Sequence, residues 1–311
     1  MGVQRKRLLL VGLGRWGKIF LHNILANPAA ELAGVVTSRP EEMKAALPAA
    51  CRIFPTTSDA LAESWDGVIL ATPPQVHGPQ LQLVMEAGIP ALVEKPLCLN
   101  LNEAEALLAL EKELNARVLV DHVQLFHAGY ERLWQEAHSA EMLEIESEGG
   151  GPGPFRDYSA LWDYGAHDLS MILDLMGEEP LEINCRKTEE KLIHSSLGAN
   201  FETRLRFRKG NAVFRSGTLF PEKKRSFHVR WGKNQGRAED FPRPRLLMQN
   251  ESEKEAKEFL LDHEPKPLIR VLNVFLAGLD KTTLDRRWGL KLGVQVVRAL
   301  EGCEKSLGAK S

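Results

Sequence analysis

The stretch "LLLVGLGRWGKIF", residues 8–20, decides the fold. Four apolar residues, Leu8 to Val11, run into Gly12, Gly14 and Gly17, spaced G-x-G-x-x-G, and a helix is expected from Trp16 to Ala26. A buried strand, a glycine turn and a helix in that order form the context in which this spacing cradles a dinucleotide. The first glycine permits the tight turn, the second lets a pyrophosphate approach the backbone, and the third lets helix and strand pack closely. The N–H groups at the start of the helix then face the phosphate. Gly12, Gly14, Arg15, Trp16 and Gly17 are therefore candidate cofactor contacts.

Working outward, the first 120 residues alternate strand and helix. Strands are expected at 8–11, 32–36, 51–54, 67–71, 90–93 and 118–120, and helices at 16–26, 40–47, 58–63, 76–87 and 101–114. Apolar strands separated by helices of this length imply a parallel sheet covered on both faces. The pattern changes after residue 121. A helix is expected at 127–137, then strands near 181–189, 199–208, 212–219 and 226–231. In "NFETRLRFRKGNAVFRSGTL", Phe201, Thr203, Leu205 and Phe207 share one face, and "KGN" is a turn between two strands. The polar segment 232–245 reads as a surface loop, and "PLIRVLNVFLAGL" and "GLKLGVQVVRAL" as closing helices, one of them expected to pack back on the first domain. The fold class is α/β: a doubly wound dinucleotide-binding domain over 1–121, and a second α/β domain with a mixed or antiparallel, one-face-wet sheet over 122–311.

Lys plus Arg number 40 and Asp plus Glu 42, a formal charge of −2, which gives no attraction to nucleic acid or an anionic membrane. No apolar run reaches the roughly 18 residues of a membrane span. The amino end runs straight into the glycine turn and reads as the first strand rather than a secretory leader. Cysteines at 51, 98, 185 and 303 form no C-x-x-C and no metal-ligand spacing, which suits a reducing cytoplasm and no bound metal.

Three further segments could carry chemistry. "ATPPQVH", 71–77, follows the fourth strand, where ligands sit in doubly wound sheets. Thr72, Pro73 and Pro74 are candidate cofactor contacts, and His77 is either a contact or a helix-start residue. "VEKPL", 93–97, follows the fifth strand. Its Lys95 could stabilise an alkoxide as hydride leaves carbon, or only form a surface pair with Glu94. In "WDYGAHDLSMILDLMG", 162–177, Leu169, Ile172, Leu173 and Met176 make an apolar helical stripe. Asp163 and His167 stand four apart and share a face if the helix covers both. Histidine suits proton transfer near neutral pH, and a carboxylate can fix its tautomer. A buried histidine satisfied by a carboxylate is the structural alternative. Asp168 and His127 could add ligands for a metal, but their spacing does not support one.

Together, "VGLGRWG", "ATPPQVH", "VEKPL" and "WDYGAHDLSMILDLMG" resemble the family of glucose–fructose oxidoreductase and inositol dehydrogenase, over almost the whole chain. The resemblance implies a Rossmann domain joined to an α/β domain with an open, largely antiparallel sheet, and dimers or tetramers often built through that sheet. It implies hydride transfer between a nicotinamide cofactor and a secondary alcohol or ketone of a sugar, cyclitol or related polyol. Lys95 would contact the reacting hydroxyl, Asp163 would be the acidic partner and His167 the proton-transfer residue, with Glu94 beside the cofactor. The D-x-G-x-H-x-x-D pattern departs here, with Ser170 following Leu169 and the acid earlier at Asp168. The family's glycine stretch before that helix is replaced by "YSAL", 158–161, with the glycines earlier in "EGGGPGPF", 148–155, so a different substrate wall is expected. A catalytically inactive nucleotide-binding or regulatory protein is the alternative on the same fold.

For the cofactor, the chain continues after the second strand as "TSRPEE", 37–42. An NAD site usually carries an acid there for the ribose hydroxyl. Instead Ser38 and Arg39 are available, and Arg39 can pair with a 2′-phosphate or stack on adenine. Glu41 and Glu42 fit the first turn of the next helix after Pro40. The expectation is NADP, with NAD possible.

Overall fold

The computed structural model describes residues 5–193, 196–280 and 284–309. The chain divides into two compact units, Met1–Asp121 with Leu268–Val294, and His122–Pro267 with Gln295–Ser311.

In the first unit, strands and helices alternate as β1 (Lys6–Val11), α1 (Arg15–Ala26), β2 (Ala30–Val36), α2 (Pro40–Met43), β3 (Arg52–Phe54), α3 (Thr57–Ala60), β4 (Gly67–Leu70), α4 (His77–Glu86), β5 (Ala91–Glu94), α5 (Leu101–Leu114) and β6 (Val118–Asp121). The strands lie in the order β3-β2-β1-β4-β5-β6, and every pair is parallel. This is the doubly wound order, whose direction reverses between β1 and β4. Leu8, Leu9, Leu10, Val68, Ile69, Leu70, Ala91, Leu92 and Val93 are wholly or almost wholly buried, as a sheet covered on both faces requires. Local signals set the helix ends. The Asn100 side chain accepts from the Glu103 N–H at 3.1 Å to start α5, and Gly88 after α4 takes φ +69°. Thr56 does the same for α3 through the Asp59 N–H.

The segment Leu268–Val294 belongs with this unit; the boundary read from sequence puts it after 121, with one of the two closing helices expected to pack back on the first domain. Its helix buries Leu268, Val271, Leu272 and Phe275. A side chain at Gly67 would meet the Phe275 ring at 2.8 Å, so the glycine at the start of β4 lets that ring close on the sheet. Arg117 Nη1 then donates to the Gly278 and Leu279 carbonyls at 3.2 and 3.0 Å. Two apolar helices in succession carry no label saying which sheet each covers, so only contacts distant in sequence decide it.

The second unit runs α6 (Ala128–Ala137), β7 (Leu143–Pro152), α7 (Ala166–Met176), β8 (Glu182–Ile193), β9 (Ser196–Phe207), β10 (Gly210–Gly217), β11 (Leu219–Trp231), β12 (Asn234–Glu239), β13 (Arg245–Gln249) and β14 (Lys257–Leu260). Its sheet has the order β14-β13-β12-β11-β7-β10-β9-β8, antiparallel except for the parallel pair β7–β10. Phe201, Thr203, Leu205 and Phe207 are buried on one face, as their spacing predicts. On the opposite face Glu202 accepts from Arg186, Arg204 and Arg215. The segment 232–245 is not a surface loop: it contains β12 and the start of β13. Its polar residues face solvent and each other across strands, as in Gln235 Nε2 to Gln249 Oε1 at 2.7 Å, so composition alone hides the pairing.

A buried ion pair fastens α7 to this sheet. Asp168 Oδ1 accepts from Ser147 Oγ on β7 at 2.5 Å and from Arg225 Nη1 on β11 at 3.0 Å. Burial pushes the Asp168 carboxyl up, against the pull of the Arg225 guanidinium. Arg225 reaches across β7 only because residue 149 is glycine: a Cβ there would lie 2.2 Å from Nη1. Removing one partner of a buried pair leaves its mate uncompensated. Arg225→Met is therefore expected to lower stability by about 3 kcal/mol, measured by urea unfolding.

Candidate functional site

Sequence-predicted cofactor residues of the first unit collect at the carboxyl edge of its parallel sheet. The turn after β1 holds Gly12, Gly14, Arg15, Trp16 and Gly17. Gly12 takes φ +91°, and a Cβ on it would meet the Ala71 carbonyl oxygen and Thr72 Cγ2 at 2.8 Å. At Gly17 a Cβ would lie 2.0 Å from the Gly12 carbonyl oxygen. Gly14 differs, since nothing lies within 4 Å of its Cβ position. It caps α1 without a side-chain hydrogen bond, and the first turn contains no acid. The helix start is thus tightly packed behind, open in front and free of competing negative charge. That arrangement fits a dinucleotide's pyrophosphate.

Next to it, the Gly12 N–H donates to the Val36 carbonyl at 2.9 Å, joining the glycine turn to the end of β2. Thr37 is buried, and its Oγ1 accepts from the Arg39 N–H at 3.2 Å. This fixes the turn that exposes Ser38 and Arg39. Pro40 then opens α2, which includes Glu41 and Glu42. Positions 37–40 carry no acid.

The loops after β4 and β5 are held by His77. Its Nε2 lies 2.8 Å from the Thr72 carbonyl and its Nδ1 2.9 Å from the Pro96 carbonyl. The ring is fully buried at the first residue of α4. Of the two roles left open by the sequence, this geometry is that of a helix-start brace. Burial lowers the imidazole's proton affinity, outweighing the carbonyls at Pro96 and Thr72. Thr72 Oγ1 donates to Gln80 Oε1 at 2.6 Å, and Pro73 is extended ahead of a short 3-10 turn at Pro74–Val76. Glu94 and Lys95 are 6% and 8% exposed, so the surface-pair alternative does not describe them. The Lys95 N–H donates to Glu94 Oε2 at 3.1 Å.

In the second unit, a wide π-type turn, Leu161–Gly165, runs directly into α7. The helical path therefore covers both Asp163 and His167, one turn apart. Single π turns recur at functional sites because they re-aim side chains. Asp163 is largely buried, with Oδ2 3.4 Å from Arg156 Nε, and His167 is half-buried between the buried Ala166 and Asp168. Tyr164 Oη donates to the Gly153 carbonyl at 2.6 Å, tying this turn to the glycine segment after β7. Sequence reasoning missed Arg156, Tyr164, Ser147 and Arg225 as supports of this segment, and no local signal marks them. His127, weighed as a ligand, is a helix cap: its Nδ1 accepts from the Gly129 and Tyr130 N–H groups, while Nε2 pairs with Asp240 at 2.7 Å. Among the described residues, no group of three or more His, Cys, Asp or Glu is placed to hold a metal ion, and no helix is long and apolar enough to cross a membrane.

The family model described as an oxidoreductase family with an NAD-binding Rossmann fold matches residues 6–122. A solved chain from Magnetospirillum magnetotacticum MS-1, described as a candidate oxidoreductase, is 30% identical, with TM-score 0.86 over 96% of this chain and 100% of that one. The chain belongs to the Gfo/Idh/MocA oxidoreductase family. A curated relative, the UDP-N-acetylglucosamine 3-dehydrogenase of Acidithiobacillus ferrooxidans, is 30% identical over 56% of this chain and 55% of its own length. An inositol 2-dehydrogenase of Rhizobium meliloti is 25% identical over 62% of this chain and 61% of its own length. The matched segment thus spans little more than half of these curated relatives. Membership of the family makes the first unit an NAD(P)-binding Rossmann fold.

The three glycines are not equivalent. Gly17→Ala is expected to abolish NAD(P) binding and to lower stability by more than about 1 kcal/mol, the overpacking cost. Gly14→Ala, with open space around it, is expected to keep the folded state. Thermal unfolding with fluorescence titration of NADPH checks both.

Proposed function

We propose that the protein is an NADP-dependent oxidoreductase acting on a secondary alcohol or ketone of a sugar, cyclitol or related polyol. The observation that carries this reading is the buried Lys95 at the same sheet edge as the glycine cradle. Relatives named as UDP-N-acetylglucosamine 3-dehydrogenase and inositol 2-dehydrogenase support the substrate class.

Bound along the Gly12–Gly17 turn, the nicotinamide cofactor supplies the hydride acceptor or donor. In the oxidising direction, Lys95 Nζ donates a hydrogen bond to the reacting oxygen and stabilises the negative charge that develops there. His167 takes the hydroxyl proton, and Asp163 orients that imidazole. The reverse direction returns the proton from His167 to the oxygen. His77, with both ring nitrogens on backbone carbonyls, acts only by bracing the two loops. Ser38 and Arg39 favour the 2′-phosphate of NADP, because a guanidinium pairs with a phosphate and no acid repels it. Assembly as a homodimer or homotetramer belongs to the same reading.

Purified protein offered a panel of polyols and nucleotide-linked sugars with NADP or NAD, followed by nicotinamide absorbance, tests the activity. Binding of cofactor without turnover across the panel would favour the non-catalytic alternative. With a substrate in hand, His167→Asn is expected to lower kcat by roughly 10²–10⁴-fold, while cofactor binding is kept. Unchanged turnover would remove His167 from the mechanism. Calorimetric titration is expected to find NADP bound more tightly than NAD, and Arg39→Ala to weaken NADP by about tenfold, 1.4 kcal/mol, while sparing NAD. Equal losses for both cofactors would assign Arg39 to the adenine instead.

A further inference from the structure

Glu94 and Asp121 occupy matched positions at the carboxyl ends of β5 and β6. Parallel register puts their side chains on the same face of the sheet, and neighbouring strands lie only about 4.8 Å apart. Glu94 is 6% exposed and Asp121 1% exposed. Matched register brings the two buried carboxyl groups together, and burial and the charge of Glu94 push Asp121 up. Two carboxylates side by side away from water repel, and each is an acceptor only, so the placement favours a proton on one of them. The surroundings choose which. Glu94 Oε2 accepts the Lys95 N–H at 3.1 Å, which favours its charged form. Asp121 is the deeper group, and its Oδ1 is buried and accepts no hydrogen bond. An anion would leave charge on that oxygen with no donor, whereas a neutral acid leaves only a carbonyl oxygen there.

We propose that Asp121 is a carboxylic acid in the folded protein, that its hydroxyl donates to Glu94, and that the pair therefore presents one negative charge, not two, to Lys95. Asp121 is then a positioning residue. It holds the Glu94 carboxylate, which in turn fixes the backbone that carries Lys95. Burial, the charge of Glu94 and the hydrogen bond from Asp121 to Glu94 all push the Asp121 carboxyl well up, with Lys95 the one opposing influence. The importance of Lys95 rests on the oxidoreductase reading; the proton on Asp121 does not, and its tests need neither substrate nor cofactor.

The unfolded chain releases this proton near the ordinary aspartate pKa of about 3.9, while the folded chain keeps it. The stabilisation is complete below that pKa and is lost as pH rises toward the raised folded value. Asp121→Asn supplies an uncharged N–H donor of similar shape and has no proton to lose. Urea unfolding of wild type and Asp121→Asn is compared between about pH 5 and pH 8. The wild-type unfolding constant is expected to rise relative to the variant by up to about tenfold per pH unit. Parallel pH dependences would overturn the proposal.

A second measurement reads the charge facing Lys95. Competitive acetylation of the folded protein with acetic anhydride, followed by mass spectrometry of the Lys95 peptide, gives the amine's reactivity against pH. Replacing a neutral acid by a neutral amide leaves the local charge unchanged, so the two profiles are expected to coincide within about twofold, 0.3 pH unit. If Asp121 were an anion, its loss would ease deprotonation of Lys95 and speed acetylation several-fold at neutral pH, and the proposal would fail.

Discussion

The Gly12 carbonyl oxygen stands 2.0 Å from where any side chain at residue 17 would begin. The first unit is built around that exclusion. It lets the start of α1 close against the turn after β1, and it aims the helix's unsatisfied N–H groups outward over the sheet edge. From this point the turns after β2 and β4 are placed by backbone pairing. Gly12 bonds Val36 and Ala71 bonds Val11, so both turns inherit the position of the first. Doubly wound sheets bind ligands where strand order reverses, and here that point is the β1–β4 boundary.

The sheet edge is held further by groups that make no claim on a ligand. His77 joins the loops after β4 and β5 through two carbonyls. In the second unit, Asp168 does comparable work for α7, through Ser147 and Arg225. In both places a titratable side chain that sequence reasoning weighs as a ligand serves as a strut. The reason is physical. A polar group wholly removed from water must find partners, and in these two cases the backbone or a neighbouring strand supplies them. His167 and Arg39, by contrast, keep some exposure to solvent.

The first unit is legible from sequence because each element carries its own signal. Buried strands are continuous apolar runs, helices start at Asn100 or Pro40, and glycines mark turns. The strand order follows from fold class once the glycine spacing is read. The second sheet is harder. β9 and β10 show clean alternation, but all four residues of β14 are exposed and β12 is mainly polar. Such strands are specified by pairing with a neighbour, which a linear reading does not see. β7 alternates Leu143, Ile145 and Ser147 inward against Glu144, Glu146 and Glu148, and was readable in principle. Its glycines at 149–151 interrupt that alternation. At the site, the fingerprint, the two proline turns and the Asp163–His167 spacing are all local. The partners Arg225, 57 residues from Asp168, and Asp121, 27 residues from Glu94, are not.

The glycine at 149 has a consequence for how the chain can change over time. It is a vacancy in β7 through which the Arg225 guanidinium reaches Asp168. No residue of the trio can drift alone. A side chain at 149 displaces the arginine, a lost arginine strands the aspartate, and a lost aspartate leaves a buried cation. Any single step passes through a less stable intermediate, whereas exchange of the whole trio for an apolar set of equal volume need not. Positions 149, 168 and 225 are therefore an epistatic unit, inherited together or replaced together.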